Sequence, residues 1–177
     1  IEKAITKKTK AIVPVHLFGQ VAQMEKIMQI AKKHGIFIIE DNAQALGAYF
    51  KNKEGKKIKT GCIWDIGTTS FFPSKNLGCY GDGGAIFTNN DELAHLIRGI
   101  ANHGMYKRYY HDVVGVNSRL DSIQAVVLNE KLKLLDTYNE KRRKSAETYT
   151  SFFKNNPKII TPKVVGDRNS HVFHQYT

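Results

Sequence analysis

The first forty residues alternate between short apolar runs and one helical pattern. Residues 11–15 form an apolar run, apolar residues then recur at helical spacing from Met24 to Ala31, and Gly35 provides a stop signal. A continuous apolar run, residues 36–39, follows, which is typical of a strand covered on both faces of a sheet. A strand, a helix and a second strand in this order predict two parallel strands joined by a right-handed crossover.

The central part of the chain continues this alternation. Two further strands are predicted near residues 67–72 and 85–88, and a helix is predicted at about residues 91–101. From residue 118 the apolar spacing predicts one long helix that extends to about residue 153, with Asn117 or Ser118 as its N-terminal cap. The order of elements indicates an α/β fold with a mostly parallel sheet.

A change of pattern near residue 150 suggests a boundary between two units. The segment Asn155-Asn156-Pro157 ends the long helix, and the short apolar pairs at 159–160 and 172–173 are interpreted as strands of a different region. We therefore predict that residues 1–150 form a large domain and that residues 151–177 begin a second, smaller one.

The net charge of +11 raises the question of nucleic-acid binding. The basic residues cluster in the segments 51–59 and 141–144, but no aromatic residues alternate with them as they would on a base-stacking surface. We interpret these clusters as solvated surface that serves an anionic substrate, and predict no nucleic-acid partner. No apolar run approaches the ~18 residues of a membrane span. We expect Cys62 and Cys79 to be buried thiols in a reducing cytoplasm.

Acidic and amide side chains follow the most apolar of the predicted strands. Ligands bind beyond the carboxyl ends of parallel strands, and Glu40, Asp41 and Gln44 lie at such a position. Glu40 and Asp41 are neighbours in an extended chain and face opposite sides, so only one of them can face a crevice together with Gln44. The alternative is a surface turn in which Asp41 caps a helix.

A single lysine, Lys75, lies between two apolar runs in a stretch that also contains four glycines within residues 78–84. A lysine is costly to bury as a cation, and burial therefore favours the neutral, nucleophilic amine. An enzyme that uses the cofactor pyridoxal phosphate (PLP) requires a nucleophilic lysine and a carboxylate at a strand end. The lysine forms a Schiff base with the cofactor, and the carboxylate keeps the pyridine nitrogen protonated. The hydroxyl of Ser70 is available for the phosphate.

Six segments in order resemble the DegT/DnrJ/StrS family of nucleotide-sugar aminotransferases, and the resemblance runs from about residue 10 to residue 177. They are AIVPVHLFGQ, IIEDNAQALGA, SFFPSKNLGCYGDGGA, NHG, VGVNSRLDSIQAVVL and HVFHQYT. The resemblance implies the large domain of a fold-type I PLP-dependent transferase, similar to aspartate aminotransferase, followed by the start of a small C-terminal α/β domain. It also implies the central part of a longer enzyme, because the family's upstream phosphate-binding segment is not among these residues.

The resemblance assigns a role to each candidate residue. It implies Lys75 as the Schiff-base lysine, Asp41 as the partner of the pyridine nitrogen, and Gln44 against the cofactor ring and its hydroxyl. It implies that Ser70 contacts the phosphate and that Asn117 reaches the phosphate of the neighbouring subunit's cofactor. A homodimer with shared active sites follows from that last role.

The same resemblance implies the reaction. Glutamate would donate an amino group, by way of PLP, to a keto group of a nucleoside-diphosphate sugar. Family members that act on 4-keto sugars often have histidine at the position of Gln44, so Gln44 favours a 3-keto sugar. Two alternatives stay open: a PLP-dependent sugar dehydratase, although such relatives carry histidine in place of Lys75, and a non-catalytic regulatory or binding protein with this fold.

The histidines allow competing interpretations. His16 lies at a strand end, where it either lines the predicted pocket or is a hydrogen-bonded structural residue. His171 and His174 are three residues apart, which in a strand places them on opposite faces. We therefore predict no metal site.

Overall fold

The computed structural model describes all 177 residues, which form a four-stranded sheet, two small hairpins and four helices. The strands are β1 (Ala11–Ile12), β2 (Phe37–Asp41), β3 (Tyr49–Lys51), β4 (Lys57–Lys59), β5 (Ile66–Ser70), β6 (Gly84–Phe87), β7 (Met105–Lys107) and β8 (Tyr110–His111). The helices are α1 (Met24–His34), α2 (Asp91–Ala101), α3 (Ser122–Leu132) and α4 (Leu135–Phe153).

The main sheet has the strand order β1-β2-β5-β6. β1 and β5 pair with β2 in parallel, and β6 pairs with β5 in antiparallel orientation. The crossover from β1 through α1 to β2 confirms the predicted parallel pair. The register places Asp41 opposite Thr68 and places Thr68 opposite Ile86, so these three residues lie in one row across the sheet.

The two faces of the sheet differ in how they are covered. On one face, α1 packs on β2 and forms a core cluster of Met24, Ile27, Ala31, Ile38 and Ile63. The opposite face carries Val15, Phe37 and Ile86, whose side chains are 45%, 57% and 53% exposed. The apolar run 36–39 therefore contributes to a core on one face only, although its unbroken hydrophobicity predicted a strand covered on both.

The prediction of one long helix from residue 118 to 153 is wrong. α3 ends at Leu132, and α4 begins at Leu135 after a turn at Leu134, whose φ and ψ are −107° and −1°. Leu128 and Leu135 are both buried in a second core cluster with Phe71, Leu77 and Cys79. They are seven residues apart, which is also the spacing of one helix face, so the apolar pattern continues across the break without revealing it.

The apolar pairs in the last part of the chain do not form the predicted strands. Ile160 is 97% exposed on an irregular segment, and Val172 is buried against Ala45 and Ala48. The N–H of Val172 donates to the carbonyl of Gly19 at 3.0 Å, so this segment docks on the first part of the chain through its backbone without joining a sheet. The division into domains near residue 150 stays a prediction.

The predictions for the basic segment and for the two cysteines agree with the structure only in part. The basic segment 51–59 belongs to the hairpin β3–β4, which agrees with its interpretation as solvated surface. Cys79 is buried, whereas Cys62 is exposed, so the prediction of two buried thiols is wrong for Cys62. None of the helices combines the length and the apolar character that crossing a membrane requires.

Candidate active site

The predicted cofactor residues Asp41 and Ser70 lie on the same face of adjacent strands. Asp41 ends β2 and is in register with Thr68 of β5, and Ser70 follows two residues later on that strand. Because side chains alternate along a strand, Asp41, Thr68 and Ser70 share the incompletely covered face of the sheet. All three are half-buried. The structure therefore brings a carboxylate and two hydroxyls to the carboxyl edge of the parallel strands.

The backbone of Asp41 is fixed by the segment that follows β1. Its N–H donates to the carbonyl of Pro14 at 2.9 Å, and its carbonyl accepts the N–H of His16 at 3.0 Å. Its side-chain Oδ1 accepts the N–H of Ala43 at 3.0 Å, which stabilises a turn, and no helix follows. The alternative of a helix cap is therefore wrong, and Oδ2 is left without a hydrogen bond from the chain.

Glu40 faces away from Asp41 and is completely buried. Its carboxylate accepts four N–H groups: His16 Nε2 at 3.0 Å, and the backbone nitrogens of Gly61, Ile63 and Trp64 at 2.8, 2.7 and 3.1 Å. The N–H of Ala22 donates to His16 Nδ1 at 3.2 Å, so the proton of the ring lies on Nε2 and points at Glu40. His16 is therefore the hydrogen-bonded structural residue of the two alternatives.

Gln44 connects the turn after β2 to the segment after β1. Its Oε1 accepts the backbone N–H of Phe18 at 2.7 Å. Phe18 has a φ of 57°, and this hydrogen bond helps to hold that unfavourable conformation. The Nε2 group of Gln44 has no acceptor in the chain, so it is available for a ligand.

Lys75 lies on the tight turn that follows β5. Its N–H donates to the carbonyl of Phe72 at 2.9 Å, and Gly78 is required in this turn because a Cβ there would lie 2.4 Å from the carbonyl oxygen of Pro73. The Lys75 side chain is half-buried, and its amine has no hydrogen bond or ion pair within the chain. The expectation of a lysine buried between strands is therefore wrong: the turn carries it out of the sheet and leaves the amine accessible.

A pair of buried asparagines anchors the Lys75 turn, and the sequence reasoning missed it. Asn76 Nδ2 donates to Asn139 Oδ1 at 2.6 Å and to the carbonyl of Val172 at 3.0 Å. Asn139 belongs to α4 and donates in turn to the carbonyl of Leu46 at 3.2 Å. Two features of the sequence could have indicated this pair. An asparagine directly follows the candidate lysine, and a polar residue occupies a position on the buried face of α4.

The side chain of Asn117 makes no hydrogen bond within the chain. The residue forms an isolated antiparallel bridge with Asn102, its side chain is exposed, and no hydrogen bond joins it to Asp41, Ser70 or Lys75. The residue before α3 is Asp121, so neither Asn117 nor Ser118 caps that helix, contrary to the prediction. Asn102 and Ser118, the bridge partner and the sequence neighbour of Asn117, line one cavity together with Thr68.

The available side-chain groups fit PLP. Oδ2 of Asp41, which is free of hydrogen bonds from the chain, suits a protonated pyridine nitrogen. The hydroxyl of Ser70 accepts the N–H of Phe72 at 3.2 Å and keeps its own proton for a phosphate oxygen, whereas the hydroxyl of Thr68 already donates to the carbonyl of Glu40 at 3.1 Å. The free amine of Lys75 suits an aldehyde. Asp41, Ser70, Gln44 and Lys75 could therefore hold the cofactor without breaking a hydrogen bond.

Comparison with known families decides the classification. The model of the DegT/DnrJ/EryC1/StrS aminotransferase family matches residues 1–177. The chain belongs to this family. Among curated relatives, this DegT/DnrJ/EryC1/StrS protein is 50% identical over its full length to the UDP-2-acetamido-2-deoxy-3-oxo-D-glucuronate aminotransferase of Pseudomonas aeruginosa, and covers 47% of it. It is 52% identical to a "Pleiotropic regulatory protein" of Geobacillus stearothermophilus and covers 46% of that relative. The chain thus spans about half the length of these relatives.

Solved structures confirm the predicted fold class of this DegT/DnrJ/EryC1/StrS chain. The DesV structure of S. venezuelae, in complex with a ketimine intermediate, superposes with a TM-score of 0.90 at 42% identity, covering 99% of this chain and 46% of DesV. The ntda structure of Bacillus subtilis, with bound cofactor pmp, gives a TM-score of 0.85 at 35% identity and covers 99% and 39% of the two chains. The chain is the α/β, mostly parallel sheet region of an aminotransferase fold.

We predict that Glu40→Gln destabilises the complete protein. Glutamine offers one acceptor oxygen and turns its NH₂ group towards buried N–H donors, which leaves two of the four donors without partners and costs about 3 kcal/mol. The unfolding midpoint in urea measures this loss. Glu92→Gln is the matched control, because Glu92 is exposed and has no side-chain hydrogen bond. Equal midpoints for Glu40→Gln and the wild type would contradict the assigned role of Glu40.

We predict that His171 makes the fold sensitive to acid. Burial lowers the pKa of His171 from 6.5 to about 4, so between these values the unfolded state binds a proton that the folded state does not. Stability therefore falls as the pH drops from 6.5 to about 4 and gains nothing from this residue above 6.5.

The test is the variant His171→Asn, whose Oδ1 can replace His171 Nδ1 as acceptor of the Phe173 N–H. The slope of the unfolding midpoint against pH should decrease between pH 6.5 and 4 in this variant. His103→Asn is the matched control, since His103 is exposed and lies in left-handed backbone that asparagine accepts. A slope equal to that of the wild type would show that His171 does not titrate as described.

Proposed function

We propose that this chain carries the core of a PLP-dependent aminotransferase that transfers an amino group from glutamate to a 3-keto group of a nucleoside-diphosphate sugar. The observation that carries the proposal is the position of Lys75. Its amine has no hydrogen bond or ion pair within the chain, and it lies on the turn after β5, the strand that carries Ser70 and pairs with the strand of Asp41, β2. Asn76 anchors this turn to α4 and to the last segment of the chain, which fixes the backbone that carries Lys75.

Each side chain then has a defined task. When bound, PLP supplies an electron sink that stabilises negative charge on the substrate carbon. Asp41 would keep the proton on the pyridine nitrogen, Ser70 would donate to the phosphate, and the Nε2 group of Gln44 would donate to the ring hydroxyl. Nζ of Lys75 would hold the cofactor's aldehyde carbon and, as a free amine, would move a proton at the substrate Cα.

The names of relatives support a 3-keto sugar as the acceptor. The P. aeruginosa relative is a 3-oxo-D-glucuronate aminotransferase, and a relative from Acidithiobacillus ferrooxidans, 48% identical, is a UDP-N-acetyl-3-dehydro-alpha-D-glucosamine 3-aminotransferase. The chain covers 46% of the latter. Gln44 points to the same position of the keto group.

Two rival functions have weaker support. Dehydratase structures, such as the E. coli GDP-4-keto-6-deoxy-D-mannose-3-dehydratase, share the fold with a TM-score of 0.85 at 26% identity, but the retained Lys75 favours amino transfer. The name of the G. stearothermophilus relative suggests regulation. A regulator without a cofactor would need neither a free lysine nor the carboxylate and hydroxyls beside it, so the side chains favour the enzyme.

We also propose that the enzyme is a cytoplasmic homodimer with shared active sites. Asn117 is exposed and its side chain makes no hydrogen bond within the chain, yet its backbone is fixed by the bridge to Asn102. A fixed, exposed amide that does not serve its own chain's helix is suited to a neighbouring subunit.

Replacing Lys75 by alanine in the complete protein should lower the rate of amino transfer by about 10³-fold or more, because the proton carrier is lost. After treatment with borohydride, mass spectrometry should detect a PLP adduct on Lys75 of the wild type and no adduct in the variant. Lys144→Ala, at an exposed position of α4, should keep both rate and adduct. Near-normal transfer by Lys75→Ala would refute the proposed role.

Subunit mixing tests the shared site. Chains with Lys75→Ala and chains with Asn117→Ala are separately inactive or weakened, but a mixed dimer would contain one site with both residues intact. Random mixing should restore about one quarter of the wild-type activity, since half of the dimers are mixed and each has one good site. If mixed dimers form and no activity returns, Asn117 acts within its own chain or not at all.

A further inference from the structure

A cavity of about 540 Å³ opens beside Lys75, between α4 and residues 173–176. Its lining contains four cationic side chains: Lys75, Lys131 of α3, and Lys141 and Arg142 of α4. No aspartate or glutamate lines this basic pocket, and none of the four cations has a carboxylate partner. The pocket therefore concentrates uncompensated positive charge next to the proposed reacting amine.

On the opposite side of α4, charged side chains form ion pairs. There Arg143 forms an ion pair with Glu140 at 2.9 Å, and Glu147 pairs with Arg168. At 100° per residue, positions 140, 143 and 147 lie on the face opposite to positions 138, 141, 142, 145 and 149, which line the pocket. Glu140, Arg143 and Glu147 are thus paired with opposite charges, whereas Lys141 and Arg142 on the face of the basic pocket have no carboxylate partner.

Aromatic side chains form the remaining walls. Tyr149 and Tyr176 pack edge to face with ring centroids 5.3 Å apart, and the hydroxyl of Tyr176 is hydrogen-bonded to Thr150 at 2.9 Å. Tyr138, Phe173 and Ala146 complete the apolar lining. Walls of low polarity strengthen the attraction between the cations and an anion, and flat rings suit a nucleoside or sugar ring.

One wall of the basic pocket contains a polar atom without a partner. His174 Nδ1 is buried and has no hydrogen bond. Burial, and then the charges of Lys75 and Arg142, lower the pKa of His174, so its ring is neutral and its nitrogen stays available to a ligand. Arg142 Nη1 donates to the carbonyl of His174 at 3.1 Å and so is held at the pocket. A buried nitrogen of this kind gains free energy when a ligand supplies the missing hydrogen bond.

We propose that the basic pocket binds the diphosphate of the nucleotide sugar through Lys131, Lys141 and Arg142. This inference rests on the proposed function, for which it identifies the binding residues of the acceptor. Several cations without a carboxylate partner match the charge of a diphosphate, although Lys131 also donates to the carbonyl of Gly78 at 2.5 Å. The aromatic walls match the groups attached to the diphosphate. Because Lys75 also lines the pocket, a sugar joined to the bound diphosphate lies within reach of the reacting amine.

The test compares Lys141→Gln with Lys144→Gln in the complete, PLP-loaded protein. Both lysines are exposed on α4 and neither has a side-chain hydrogen bond, but only Lys141 lines the pocket. Calorimetric titration with UDP, dTDP and inorganic pyrophosphate should show a Kd about tenfold higher for Lys141→Gln and an unchanged Kd for Lys144→Gln. Equal unfolding temperatures for the two variants check that both fold.

A phosphate could also come from the cofactor, so the affinity of each variant for PLP is measured by absorbance after removal of the cofactor. The proposal expects equal PLP affinity in both variants. Weaker PLP binding with unchanged UDP binding would overturn it and assign the pocket to the cofactor's phosphate. Equal UDP binding by the two variants, or no binding of UDP, dTDP or pyrophosphate by the wild type, would also overturn it. Failure of the proposed function is recognised separately, as absence of amino transfer in a protein that still binds these nucleotides.

Discussion

The buried carboxylate of Glu40 is the interaction on which the arrangement of the site depends. A fully buried charge is costly unless every lone pair is hydrogen-bonded, and Glu40 meets this condition with four N–H donors from two segments distant in sequence. Gly67 makes it possible, because a Cβ at that position would lie 2.0 Å from the carbonyl oxygen of Gly61. The turn that carries three of the donors can therefore lie directly against β5.

The position of Asp41 follows from that of its neighbour. Glu40 can reach its donors only from the covered face of the sheet, and alternation along β2 then turns Asp41 to the other face, where Thr68 and Ser70 lie. His16 reinforces this choice, since its ring binds Glu40 while its N–H binds the carbonyl of Asp41. The two adjacent acids therefore differ in role. Glu40 is enclosed by the chain and stabilises the fold, whereas Asp41 keeps one carboxylate oxygen for a ligand.

The sequence predicted those features that depend on local pattern or on recognisable motifs. The parallel pair β1–β2, the basic hairpin and the choice of Asp41 and Lys75 as candidates were accessible in this way. The break between α3 and α4 at Leu134 could not be predicted, because Leu128 and Leu135 keep the spacing of a continuous helix. The half-buried position of Lys75 was not predictable either, since apolar neighbours in sequence do not show that a tight turn carries the side chain away from the sheet. Partners distant in sequence, such as Asn76 and Asn139, leave no periodic signal at all.

The same face of the sheet carries both the candidate site and the most exposed apolar side chains of the strands. Asp41, Thr68 and Ile86 stand in one row, with Val15 beside Asp41, and Ile86 is 53% exposed. An electrostatic contact between Asp41 and a protonated ring nitrogen is stronger when water is excluded, and burying Ile86 and Val15 also requires that water leave this row. The two requirements are therefore coupled: any group that covers the apolar residues of this row also lowers the polarity around Asp41. Stability of the sheet and strength of the cofactor contact should rise together.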